Sequence, residues 1–159
     1  MSAAELLEWL AAWPVASAMR RSATFYLVVN ATHILAIGLL VGAIVPLDLR
    51  LLGFFGNMSL EVLGPFLSRA AAVGLALAIV TGFCLFSVRP SAYVTNAAFL
   101  AKIGLLGIGA ANAASVHMGG AWRAVARGGP VANSVRLSAG VSLIVWPSAV
   151  LAGRWIGFL

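Results

Sequence analysis

Two histidines are the residues of this chain best equipped for chemistry in apolar surroundings. His33 stands in VVNATHILAIG and His117 in ASVHMGGAW, and neither stretch carries an Asp, Glu, Lys or Arg. Imidazole ligates haem iron and transition metals and exchanges protons near neutrality, so an uncharged segment holding one is a candidate cofactor site. Tyr26, Asn30 and His33 follow one another at steps of four and three, which puts them on one helical face. Asn112 and His117 stand roughly 140° apart on a helical wheel of ~3.6 residues per turn, so they look toward different neighbours.

The elements that must hold these side chains are membrane helices. The chain has 159 residues, 62% of them hydrophobic and only 9% charged, where soluble domains carry about 25% charged residues. Its mean hydropathy is +1.05. Uncharged runs at Ser22–Leu47, Ala70–Val88, Ile103–Trp122 and Leu137–Gly153 are 26, 19, 20 and 17 residues long, against the roughly 20 residues that cross a bilayer. The expected fold is all-α: a four-transmembrane-helix bundle in one domain, with membrane helices at 22–47, 69–88, 98–122 and 136–157.

Before them, Ser2 and Glu5 have the spacing of a capping box, and Leu6, Leu7, Leu10 and Trp13 recur at helical intervals until Pro14. This predicts a short amphipathic helix over 2–13, lying in the membrane interface. Glu5 and Glu8 replace the basic start of a signal peptide, so the N-terminus is expected to be uncleaved. The first loop, Asp48 to Arg69, is broken by Gly and Pro and is expected to ride in the interface or cover one end of the bundle. A tight turn is expected around Arg89-Pro90-Ser91, and an exposed, mobile loop from Arg123 to Arg136. Close packing is expected along Ala70, Gly74, Ala78 and Gly82; along Gly38 and Gly42; along Gly107, Ala110, Ala114 and Ala121; and along Ser138, Ser142, Ala149 and Gly153. Pro147 is expected to kink the last helix.

Charge excludes several functions. The formal net charge is +6, but the ten Lys and Arg residues flank apolar runs, so their expected partner is the lipid bilayer and not nucleic acid. Split between the two sides, five against five, they fix no orientation beyond a lean of Arg20-Arg21 toward the cytoplasm. The four acids, Glu5, Glu8, Asp48 and Glu61, all fall outside the uncharged runs, which argues against a proton-coupled antiporter. Cys84 is alone, so no intramolecular disulfide is possible. No catalytic triad can be assembled in the membrane, and the chain is not expected to be an enzyme on its own.

His33 and His117 are therefore the expected cofactor and metal ligands, as axial ligands of a b-type haem between the first and third helices. Asn30 and Asn112 would support them, and Arg123 and Arg127 would pair with the propionates. Depth weighs against a shared haem: His33 lies about 2 Å to one side of the midplane and His117 about 7 Å to the other, at ~1.5 Å per residue. The function this implies is a haem-binding or quinone-proximal electron-transfer subunit. A non-catalytic scaffold or accessory subunit is the rival, its small-residue faces binding partner subunits or a second copy. A copper-handling protein is a third reading, resting on His117-Met118.

The stretches HILAIGLLVGAIVPLDLRLLG (33–53), AKIGLLGIGAANAASVHMGGAW (101–122) and GRWIGFL (153–159) resemble an uncharacterised bacterial family of small four-helix integral membrane proteins. The chain is more distantly similar to the membrane domain of copper-resistance D-type proteins. The resemblance implies a multi-pass protein of the bacterial inner membrane, with His33, Asp48, Arg50, Asn112, His117 and Arg154 at the matching positions. It implies no activity, and copper transport is not carried across.

Overall fold

The computed structural model describes residues 2–158. Eight α-helices and one terminal turn follow one another: α1 Ala3–Ala12, α2 Pro14–Arg21, α3 Ala23–Leu52, α4 Leu60–Val88, α5 Pro90–Val94, α6 Ala97–Met118, α7 Gly120–Val125, α8 Asn133–Trp155 and a 3₁₀ turn Ile156–Phe158. Four of these, α3, α4, α6 and α8 with its terminal turn, are long and apolar enough to cross a membrane. The chain is an all-α, four-helix membrane bundle.

Charge proves a poor guide to where the helices end. Helix α3 runs five residues past Leu47 and takes in Asp48 and Arg50, and α4 begins nine residues before Arg69. Most of the expected first loop is therefore helix. Residues 53–59 alone make the connection, opened by Gly53 at φ 110 and tied down by Arg50, which donates to the carbonyls of Met58 and Gly56. Pro65 is tolerated because its missing donor and its ring affect only the first turn of α4. At the far side α6 stops at Met118, and Arg123 belongs to a separate helix, α7, whose Trp122 and Val125 are buried; the supposed mobile loop shrinks to residues 126–132. The expected tight turn after Arg89 is the one-turn helix α5.

The N-terminal segment is two helices, not one. Ser2 Oγ accepts from the Glu5 N–H while Glu5 returns a bond to the Ser2 N–H, so the capping box forms as its spacing predicts. Pro14 ends α1 and serves as the first residue of α2, where its lack of an N–H is harmless. Helix α2 packs on α3 and α4, and α1 on α5.

Close backbone approach decides how the long helices meet. A Cβ on Gly74 would stand 2.6 Å from the Leu40 nitrogen and 2.9 Å from the Ala36 oxygen, so α3 and α4 touch main chain to main chain there. Gly109 of α6 makes room for a side chain instead, the Trp146 ring of α8, and Gly153 of α8 lies against the Lys102 stem. Not every expected stripe is used. Gly38, Gly42 and Gly107 have nothing within 4 Å of a built Cβ, because the interfaces of α3 and α6 run along other faces. Around the bundle the order is α4, α3, α8, α6. No Cα of α4 lies within 8 Å of one in α6, so the ring of helices is open on that side.

Candidate functional site

Between the four long helices, toward the loop side, lies a cavity of about 340 Å³. Its walls are mostly apolar, with Leu40, Ile44, Leu47 and Leu51 from α3 and Trp146 from α8. Set into them are Asp48, Ser68, Asn112, His117, Ser138 and Ser142, with the exposed Arg69 also on the wall. Asp48 reaches this position because it continues the helical period of Leu40, Ile44, Leu47 and Leu51, the face of α3 that meets the core. It is 4% exposed, and its Oδ2 has no hydrogen-bond partner. The Ser142 hydroxyl of α8 faces the same carboxyl.

Asp48 was expected in a loop, outside every spanning segment. The structure places it inside a membrane helix, about 16 Å from the helix midpoint and so at the border of a ~30 Å hydrocarbon core. A carboxylate therefore stands within a spanning helix, the feature whose absence spoke against a proton-coupled antiporter.

Asn112 and His117 point to different neighbours, as their spacing predicts. Asn112 donates from Nδ2 to the Ser138 carbonyl at 3.0 Å and accepts from Ser138 Oγ at 2.8 Å, fastening α6 to α8. His117 lies 2.8 Å from the Ala113 carbonyl through Nδ1 and 2.7 Å from Ser68 Oγ through Nε2. A carbonyl can only accept, so Nδ1 carries a proton and donates to it, while Nε2 pairs with the serine hydroxyl. Both ring nitrogens are thereby used. This bond crosses the open side of the bundle at one end; at the other, Phe86 of α4 stacks on Phe99 of α6 with ring centres 5.3 Å apart, and Tyr93 leans on both.

His33 is elsewhere. Its Nδ1 lies 2.9 Å from Thr81 Oγ1, whose own proton goes to the Leu77 carbonyl at 2.6 Å, so His33 donates. Its ring rests against Gly82, where a built Cβ would meet Cε1 at 3.0 Å. Measured along α4, the contacts of His33 at Thr81 and of His117 at Ser68 are about 20 Å apart at ~1.5 Å per residue. Two axial ligands of one haem flank a single iron atom, so this pair does not fit a shared macrocycle. Asn30 is half-buried on α3, on the His33 side, while Arg123 and Arg127 are exposed and stand at the His117 end. Met118 is exposed beside His117, and no group of three His, Cys, Asp or Glu is placed to hold a metal among the described residues. The donors expected for haem are thus spread along the bundle.

The site missed from the sequence is the Asp48 chamber with its serines. One signal was available: the apolar period of α3 runs through Asp48 without a break.

No protein-family model, curated protein or solved structure matches the chain. Fold and composition define a small polytopic membrane protein.

Proposed function

We propose that this protein binds a small, largely apolar ligand carrying a hydrogen-bond donor in the chamber at Asp48. The observation that supports the reading is the unpartnered Asp48 Oδ2, buried in the chamber wall. A polar atom removed from water without a partner costs about 1–3 kcal/mol, more when charged, and such groups concentrate where they serve a ligand or an ion. The chamber volume falls within the range that takes a small molecule. Its polar groups are hydroxyls, an amide, the His117 imidazole, the exposed Arg69 and Asp48; the buried, unpartnered oxygen belongs to Asp48, and a carboxyl so placed suits a protonated amine attached to a short apolar body. The parted side between α4 and α6 gives that ligand a way in from the bilayer. A ligand-binding or transport role accounts for these features better than electron transfer does, because the two histidines do not converge.

The test is thermal unfolding in mild detergent with hexylammonium, hexanol and hexanoate as probes. Hexylammonium is expected to raise Tm of the wild type and to leave Asp48→Asn unmoved, with hexanoate inert on both. Without ligand, Asp48→Asn is expected to be more stable than wild type by about 1 kcal/mol, since it removes an uncompensated buried acid. Equal shifts from all three probes in both proteins would sink the reading.

An accessory-subunit role draws on a separate observation, the open Gly38–Gly42 face of α3, where a Cβ added at either glycine would meet no neighbouring element within 4 Å. Crosslinking from that face to a partner helix tests it.

A further inference from the structure

The end of the bundle away from Asp48 holds a second cavity, about 740 Å³, between α2, the start of α3, the end of α4, α5 and the terminal turn. Arg20, Arg89, Tyr26 and Tyr93 line it, together with apolar Leu85 and Val88. Among the described residues no carboxylate lies in its wall.

The two arginines are set differently. Arg20 is held by the structure itself: it donates to the Ala11 carbonyl at 2.6 Å, the Val88 carbonyl at 3.3 Å and Ser17 Oγ at 3.1 Å. Those bonds seal the ends of α1 and α4 and use three of the five guanidinium N–H groups, leaving Nε–H and one Nη1–H. All three acceptors are neutral, so the positive charge is fixed in place and not cancelled. Arg89, the residue that ends α4, is exposed and brings a second charge. Tyr93 is held by its ring against Phe86 and Phe99. Burial and the neighbouring Tyr26 push its phenol above the ordinary tyrosine range, with Arg89 acting the other way, so it remains a hydroxyl donor at neutral pH.

We infer that this cavity is a binding site for an anionic phospholipid, with Arg20 and Arg89 on the phosphate, Tyr26 and Tyr93 offering hydroxyls, and the acyl chain running along Leu85 and Val88. A lipid is the occupant because the site combines two uncancelled cations with an apolar wall, at the level where helix ends meet the headgroups. A free phosphate ion would leave most of this volume and all of its apolar wall unused. The inference is independent of the ligand assigned to Asp48.

The experiment is native mass spectrometry of the detergent-solubilised protein, given equal amounts of phosphatidylglycerol and phosphatidylcholine with the same acyl chains. The wild type is expected to retain phosphatidylglycerol preferentially. Arg89→Gln is expected to lower that preference about fivefold, the value of one arginine facing an anionic headgroup. Arg136→Gln, which removes an exposed charge at the opposite end, is expected to change nothing. Arg89 is the position to vary because Arg20 also caps two helices, and Tyr93→Phe, which keeps the ring, gives a second variant with a weaker loss. Equal retention of both lipids, or equal losses in Arg89→Gln and Arg136→Gln, would overturn the site. Displacement of the lipid by millimolar inorganic phosphate would overturn the lipid assignment in favour of a free anion.

Discussion

Helix α4 has two neighbours in the ring and meets them in opposite ways. Against α3 it lies main chain on main chain, with Gly74 pressed to Leu40 and Ala36 and Gly82 to the His33 ring. Toward α6 its backbone stays back, and side chains alone bridge the interval: Ser68 to His117 at one end, Phe86 to Phe99 at the other. Lipid gives helices no hydrophobic reason to associate, so contact area and hydrogen bonds set the strength of each seam. The first seam therefore acts as the spine of the molecule. The second leaves room for a chamber behind it, and it is the side on which the bundle can admit something.

The largest effect should come from forcing the tight seam. Gly74→Ala places a Cβ against backbone atoms that cannot swing aside, and α3 must move off α4; a loss of about 3 kcal/mol is expected by reversible unfolding in mixed micelles. Gly107→Ala on α6 is the matched control. A Cβ added there meets no neighbouring element within 4 Å, so the same change should gain up to about 1 kcal/mol from helix propensity alone. Equal effects at the two positions would erase the distinction between closed and open faces.

Next comes Asn112→Ala. It breaks both bonds to Ser138 and loosens α6 from α8, the helix it packs on most closely. A loss of about 1–2 kcal/mol is expected, and Asn112→Asp should not restore it, because the bond to the Ser138 carbonyl needs the amide donor. Ser68→Ala is smaller, about 0.6 kcal/mol, since it removes one exposed bond across the open side. Its signature is geometric: spin labels on α4 and α6 should show a broader distance distribution at the His117 end, while labels on α3 and α4 report no change.

How much of this could be read from the sequence follows from what each signal measures. Uncharged length located all four spans because the bilayer imposes it, and helical spacing separated Asn112 from His117 because it is plain geometry. Charge marks the helix ends correctly at Arg21 and Arg89 but not at Asp48, Arg69 and Arg123. Asp48 and Arg50 are helical because a charge at the border of the hydrocarbon can turn into a polar chamber or reach back to loop carbonyls. The small-residue stripes on α4 and α8 were legible; those at Gly38, Gly42 and Gly107 were not, since composition does not say which face a neighbour will take. The partners of the histidines, Thr81 and Ser68, lie 48 and 49 residues away in the chain, and only the relative sliding of helices selects them.

The second clasp of the open seam offers the mildest perturbation. Tyr93 packs against Phe86 and Phe99 outside the spanning segments, and burial first, then Tyr26, hold its phenol above the ordinary value while Arg89 partly opposes them. An acid whose folded value is raised is the stronger acid when unfolded, so its contribution to stability is complete below about pH 10, where free tyrosine ionises. It is lost as pH climbs from there through the folded value. Unfolding followed from pH 8 to 11 should thus show a decline beginning near pH 10 in the wild type and a shallower one in Tyr93→Phe, which keeps the ring but has no proton to lose. Because Tyr93 braces only the parted side, the same alkaline shift should widen distances between α4 and α6 before it touches those between α3 and α4. If both seams opened together, the open side would be no weaker than the spine, and the chamber would have no privileged entrance.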